Sequence, residues 1–250
     1  HPYARLTPDL ILRALESAGF VCDGRLLALN SYENRVYQIG IEDGPPVIAK
    51  FYRPGRWSKQ AILEEHAFSQ ELAAQEIPVI APFSDADGGS LHELEGFLFA
   101  AYPRCGGRWP DLDTKAQRQQ MGRFLGRMHA IGATRHFQHR NRLDIATLGD
   151  ASRRFVLEEK LVPDYLFDAY ATLSDDLLKQ IRVMFEIAGS VAQIRLHGDC
   201  HKGNILWTDR GPHFVDLDDS CSGPPIPDMW MLLSGETEEM SIQFEELLEG

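Results

Sequence analysis

Within LHGDCHKGNILW, Leu196 to Trp207, two histidines, an aspartate and a cysteine share five consecutive positions. The alternation of His197, Asp199 and His201 would suit metal ligands on a strand. A hydrolytic metal centre needs further His or carboxylate ligands with orienting partners. The sequence offers no HExxH and no second His cluster. Cys200 could be a nucleophile, but nothing in the sequence around it points to an activated thiolate. Phosphoryl transfer accounts for more of the residues. An Asp followed five positions later by Asn, in the pattern H-x-D-x-x-x-x-N, places His197, Asp199 and Asn204 in one loop. Asp199 would accept or orient the proton of an attacking hydroxyl, and the Asn204 carbonyl oxygen would ligate Mg²⁺. After the turn TDRG, Asp216 would complete the metal's oxygen ligands, a hard donor set suited to Mg²⁺ beside nucleotide phosphate. Asp199 and Asp216 are thus the candidate catalytic residues, and Asn204 and Asp216 the candidate metal ligands.

A phosphate donor needs a cation on its other side. Lys50 follows the β-branched core of PPVIAKFY, a run that reads as a strand, and would hold the α- and β-phosphates of ATP. A helix spans about Ser58 to Ala74, with Ala61, Phe68 and Leu72 on one face. Glu65 lies in that stripe, where a carboxylate wants a cation, so it would fix Lys50. Glu64 points roughly 60° away at 3.6 residues per turn. Lys50, Glu65, Asp199, Asn204 and Asp216 in this order point to ATP-dependent phosphoryl transfer. A nucleotide-binding module without catalysis would have lost Lys50, Asp199 or Asp216, and all three are present.

Around these residues the elements fall into place. Thr7 as N-cap, Pro8 at the first helical position and Gly19 at the end mark a first helix. Strands are expected at Leu26 to Asn30 and Arg35 to Ile41, joined by SYEN, with further strands at Val79 to Phe83 and in GFLFAAYP. PRCGGRWP reads as a linker, which places a boundary near residue 103. Residues 1–103 would form an N-terminal lobe with the ATP-covering sheet and the Lys/Glu helix. Residues 104–250 would form a helical C-terminal lobe with the catalytic loop. QRQQMGRFLGRMHAIG puts Met121, Leu125 and Met128 on one face. Residues 134 to 165 look irregular. DDLLKQIRVMFEIAGSVAQ reads as an amphipathic helix through Leu177, Ile181, Met184 and Val191. IRLHGD and PHFVDLDD read as short strands, and SIQFEELLEG as a closing helix. His197 is expected to brace its loop, and Asp228 to cap the MWMLL segment or hold the catalytic-loop backbone. Asp218 and Asp219 are expected to arrange the loop or face solvent.

The bulk composition is compatible with this reading. The 250 residues are 44% hydrophobic and 10% aromatic, enough for a packed core. The longest apolar runs are too short to cross a bilayer, and no secretory signal is visible. Four scattered cysteines fit a reducing cytoplasm rather than a disulfide or zinc scaffold. A net charge of −12 disfavours nonspecific binding to nucleic acid or anionic membrane. A monomer is expected.

HGDCHKGN with FVDLDD resembles the aminoglycoside phosphotransferase and choline-kinase-like branch of the protein-kinase fold. NSYENRVYQ, KFYRPGRW, ILEEH and DMWMLLSG extend the resemblance to bacterial cytoplasmic Ser/Thr protein kinases on that scaffold, from about Thr7 to the end. The resemblance implies a two-lobed α+β fold, an ATP cleft between an N-terminal antiparallel sheet and a helical C-lobe, Asp199 as proton acceptor, Asn204 and Asp216 as Mg²⁺ ligands, and Ser31 in the ATP-covering turn. It also implies a protein Ser/Thr acceptor and a role in stress response, with a small amino alcohol or aminoglycoside as the alternative acceptor. Three departures stand out. NSYENRVYQ contains no glycine, so backbone N–H groups and Ser31 or Asn34 would contact phosphates. Asp216 is followed by Leu217 and Asp218 rather than Phe-Gly. Family members also continue with further C-lobe helices, so the C-lobe is expected to be incomplete here.

Overall fold

The computed structural model describes residues 2–250. The N-terminal part is built on helix α1 (Pro8–Ser17) and strands β1 (Cys22–Leu29), β2 (Arg35–Ile41), β3 (Val47–Phe51), β4 (His92–Leu94) and β5 (Phe97–Pro103). They form one antiparallel sheet in the order β1-β2-β3-β5-β4. Alternation along β3 decides what each face does. Val47, Ala49 and Phe51 join α1 residues Ile11 and Leu15 in a closed core, where Phe51 and Phe99 stack at 5.3 Å. Ile48 and Lys50 therefore face the opposite side, toward a cavity.

Helix α2 (Lys59–Ala74) begins where the Ser58 side chain accepts the Ala61 N–H at 3.1 Å. Its Phe68 and Leu72 are fully buried in a second core shared with the C-terminal part. That core is completed by Met121, Leu125 and Met128 of helix α3 (Lys115–Gly132), the face the sequence pattern predicts. Beyond it come a π-helical stretch (Ile145–Ala151), α4 (Ser152–Glu158), α5 (Asp164–Ala188), β6 (Ile194–Leu196), the hairpin β7 (Ile205–Thr208) and β8 (Gly211–Phe214), β9 (Cys221–Gly223), α6 (Ile226–Trp230) and α7 (Thr237–Leu248). Among the described residues no helix is long and apolar enough to cross a membrane.

Several sequence expectations need correction. Val79 to Phe83 is not a sheet strand: only Val79 bridges, to Phe214. Pro78 and Pro82 lack the N–H groups that a continued ladder requires. The segment instead ties the two parts together, with Ile80 N donating to Phe214 O at 2.9 Å and Phe83 N to Ala101 O at 2.8 Å. Residues 134 to 165 are not irregular throughout, since they hold the π-helical stretch and α4. The long helix α5 starts at Asp164 and stops at Ala188, before Gly189 with φ 68°. Its buried residue is Leu178, whereas Leu177 and Met184, predicted for the inner face, are exposed.

Candidate active site

Lys50, Asp199, Asn204 and Asp216 line one cavity of about 670 Å³ between the sheet and the loops after β6 and β8. Ser31, Asn34 and Glu65 line it as well. The seven candidate residues named from the sequence therefore come together. The volume falls within the usual range for small-molecule sites.

Lys50 sits among three carboxylates. Its Nζ lies 2.8 Å from Asp216 Oδ1, 3.2 Å from Asp218 Oδ1 and 3.8 Å from Glu65 Oε1. Burial alone would pull its pKa down, but the carboxylates, led by Asp216, hold it well above the ordinary lysine value. The same lysine depresses the pKa of Asp216. The Lys50–Glu65 pair foreseen from the helix stripe is thus present but is the longest of the three. Asp218, expected to arrange the loop or face solvent, is instead buried between Lys50 and Arg56, whose Nη1 is 2.6 Å from Asp218 Oδ2. Arg56 also binds Asp219 Oδ1 at 2.6 Å. Arg140 grips the backbone of the same turn through the carbonyls of Asp218 and Ser220, and its guanidinium lies 4.0 Å from the Trp57 ring centroid. Arg56 and Arg140 were not picked out in the sequence, because their partners lie about eighty residues or more away.

Glu65 is buried, and that burial pushes its pKa up to about 7 despite Lys50. Behind it, His66 contacts the Tyr52 hydroxyl through Nε2 at 2.7 Å and the Ser90 hydroxyl through Nδ1 at 2.8 Å. Burial lowers its pKa to about 3, so its ring is neutral. The two groups act oppositely on stability. Between the ordinary value of 4.5 and about 7, folded Glu65 keeps a proton that the unfolded chain has released, so its contribution falls as pH rises. Between about 3 and 6.5, unfolded His66 takes a proton that the folded ring refuses, so its contribution rises with pH. Glu65→Gln removes only the first effect. In thermal melts of the nucleotide-free protein at pH 5 and pH 8, the variant should gain on the wild type at the higher pH. A constant difference would mean that Glu65 is ionised throughout.

The catalytic-loop candidates are held from below. Asp228, fully buried on α6, accepts the His197 N–H through Oδ2 and the Gly198 N–H through Oδ1, both at 2.9 Å. His129 Nε2 donates to Asp228 Oδ2 at 3.1 Å. Of the two roles expected for Asp228, holding the loop backbone is the one observed. His197 braces the loop: its Nε2 donates to the Val215 carbonyl at 3.0 Å. Neither nitrogen is presented as a metal ligand, since Nδ1 faces the Asp199 N–H at 3.4 Å. Gly198 has φ +85°, and a Cβ there would collide with the Asp219 carbonyl oxygen, so the loop requires glycine. Asp216 is also left-handed, at φ 58°, a non-glycine strain of the kind found at functional sites. The expected strand stops at Phe214, and this bend carries the Asp216 side chain toward Lys50.

Asn204 Nδ2 donates to the carbonyl and to Oδ2 of Asp199, at 2.9 and 3.0 Å. Both neighbours are acceptors, so the amide nitrogen must face them and the carbonyl oxygen is turned the other way. Asn204 and Asp216 therefore present oxygen donors suited to a hard divalent cation. Among the described residues no group of three or more His, Cys, Asp or Glu could hold a metal by itself. Ser31 lies in the turn that covers the cavity, while the Asn34 side-chain oxygen accepts the Arg53 N–H at 3.2 Å and so fixes the start of the β3–α2 connection. Burial raises the Cys200 thiol pKa, which argues against a nucleophilic thiolate.

An antiparallel sheet whose third strand aims a lysine across a cleft at an Asp/Asn loop, above a mainly helical second part, is the two-lobed protein-kinase-like architecture. The profile of the phosphotransferase enzyme family matches residues 25–250, and the chain belongs to that family. It is similar to stress response kinase A of Escherichia coli strain K12, 42% identical over 248 residues that cover 99% of this chain and 74% of the relative. Serine/threonine protein kinase RdoA of Salmonella typhimurium strain LT2 is 42% identical with the same coverage. Among solved structures, amicoumacin kinase hAmiN in complex with AMP-PNP, Ca²⁺ and Ami has a TM-score of 0.76 at 20% identity, covering 96% of this chain and 76% of that one. The microcompartment-associated aminopropanol kinase has a TM-score of 0.69 at 18% identity, covering 95% and 79%. These structures share the fold, and the enzyme class is that of a phosphotransferase.

Proposed function

We propose that the chain is an ATP- and Mg²⁺-dependent kinase that transfers the γ-phosphoryl group to Ser/Thr hydroxyls of a protein. One observation carries this reading: Lys50, Asp199, Asn204 and Asp216 face a single nucleotide-sized cavity. In this reading residues 1–103 cover the nucleotide and residues 104–250 carry the catalytic loop. ATP enters with its phosphates toward Lys50, whose ammonium exchanges carboxylate contacts for the α- and β-phosphates. Ser31 and the backbone of its turn cover the phosphates, and Glu65 and Asp218 keep Lys50 in place. Asn204 and Asp216 would hold Mg²⁺, which supplies neutralisation of phosphate charge when bound. Asp199 accepts the proton of the acceptor hydroxyl as its oxygen bonds to the γ-phosphorus. The bond from that phosphorus to the β,γ-bridging oxygen breaks, and ADP leaves. The protein does little covalent chemistry in such a transfer; positioning and electrostatics dominate.

The curated relatives support the protein acceptor, since one is named a serine/threonine protein kinase and others stress response kinases. A role in stress response and a cytoplasmic, monomeric protein belong to the same reading, and four free cysteines support a reducing compartment. A second reading, a small-molecule kinase, is favoured by the structural neighbours, whose names are those of amicoumacin and aminopropanol kinases. Labelled Mg·ATP separates the two. The protein is incubated with ATP alone, with a generic basic protein, and with aminoglycosides and amino alcohols. Label on protein Ser/Thr that vanishes in the Asp199→Ala variant is the expected result. Turnover with a small hydroxyl compound alone would replace the first reading by the second.

A further inference from the structure

His201, which alternates with His197 and Asp199 in the sequence, holds no metal in the reading above and has no other role assigned to it. It is nearly half-exposed, with 44% of its side chain accessible, and it lines the cavity, so core packing does not explain its position. Two polar contacts do. The Gly203 amide lies 2.9 Å from His201 Nδ1. A backbone N–H can only donate, so Nδ1 carries the lone pair and the neutral ring carries its proton on Nε2. Nε2 in turn stands 3.5 Å from Asp199 Oδ2. At that separation the pair is in ion-pair range rather than a formed hydrogen bond, and hydrogen bonds at catalytic sites are often long before substrate binds. Asn204 Nδ2 donates to the same oxygen at 3.0 Å.

Gly203 fixes where the imidazole sits. Its φ lies outside the left-handed region, so the backbone does not require glycine there. A Cβ at this position would stand 2.6 Å from His201 Cε1 and 2.9 Å from Nδ1. The absent side chain is the space that the imidazole occupies.

We propose that His201 is a positioning residue for Asp199: its Nε2–H, together with Asn204, anchors Oδ2 and leaves Oδ1 to receive the proton of the acceptor hydroxyl. This rests on the phosphotransfer reading above. The competing role is structural, a cap in which His201 serves only the Gly203 N–H. The two roles separate at one substitution. Asparagine is a good capping acceptor for an N–H two residues on, but it is too short to reach Asp199 as well. His201→Asn therefore keeps the cap and loses the anchor.

Initial rates are measured with Mg·ATP and whichever acceptor of the panel the wild type phosphorylates, with slow hydrolysis to water as the acceptor-free control. His201→Asn should melt with the wild type, keep KM for Mg·ATP within about twofold, and lose about 10- to 100-fold in kcat, the scale of a misplaced catalytic group. His201→Ala should lose as much kcat. Gly203→Ala, which pushes the native imidazole aside, should lose kcat in the same way. Adding His201→Asn to Asp199→Asn should cost nothing further, because the two act through one oxygen. Wild-type kcat in His201→Asn would reduce His201 to a cap. A loss confined to KM for Mg·ATP would make it a nucleotide contact, and an additive loss in the double variant would detach it from Asp199. Full activity in Asp199→Asn, or no turnover by the wild type, would instead remove the phosphotransfer reading on which the proposal stands.

Discussion

Asp199→Asn should lower kcat by about 10²- to 10⁴-fold, the range that a positioned general base contributes, while the melting temperature and KM for Mg·ATP stay near those of the wild type. The substitution is close to isosteric, and the loop does not depend on the charge of Asp199. The backbone carbonyl of Asp199, which accepts from Asn204 Nδ2 at 2.9 Å, is untouched. A side-chain amide oxygen can replace Oδ2 as the acceptor from Asn204, now at 3.0 Å. What disappears is the basic oxygen that, in the proposed mechanism, takes the hydroxyl proton. Nucleotide affinity should persist because Lys50 and the covering turn at Ser31 lie on the sheet side of the cavity. Steady-state kinetics with a parallel thermal melt decide the matter. A kcat within a fewfold of the wild type would remove Asp199 from the chemistry, and a collapse in melting temperature would make the loss of activity structural.

The local part of this site could be read in advance. Lys50 is legible because β3 alternates, which sends Val47, Ala49 and Phe51 to the closed core and Lys50 to the other face. Glu65 is legible because it lies in the apolar stripe of α2, and the catalytic loop because its spacing is short and specific. Long-range electrostatics were hidden. Asp218 looks like any second acidic residue after Asp216, and only folding brings Arg56 to it from 162 positions away. Burial then changes its meaning, from a loop residue to the counter-ion of both Lys50 and Arg56. Sequence and fold part where apolar composition does not coincide with burial. Val79 to Phe83 has the apolar content of a strand but follows Pro78 and contains Pro82, so it crosses between the two parts as a tie. The π-helical stretch and α4 leave Leu148 and Phe155 exposed, and so carry no inward stripe to recognise.

The largest effect on stability should come from Asp228→Ala, a loss of about 3–5 kcal/mol, as expected when the buried carboxylate at the centre of a hydrogen-bond network is removed. Asp228 is fully buried, and its two oxygens serve two backbone donors of the catalytic loop and the His129 ring. Alanine leaves the buried His197 N–H and the partly buried Gly198 N–H without their acceptor, and an orphaned buried group costs about 1–3 kcal/mol. The two amides open the left-handed turn at Gly198, whose shape sets the direction of Asp199. Loss of their acceptor should therefore lower kcat together with stability, unlike Asp199→Asn, which spares stability. Asp228→Asn is the sharper comparison. Its single oxygen can serve one of the two N–H groups, while its own amide hydrogens would confront the other donor. It should recover only a small part of the loss despite its near-identical volume. Urea unfolding of the three proteins measures these differences directly. If Asp228→Asn matched the wild type in stability and kcat, the network would be serving by shape alone, and the loop would owe its geometry to packing around Cys200 and Phe214 instead.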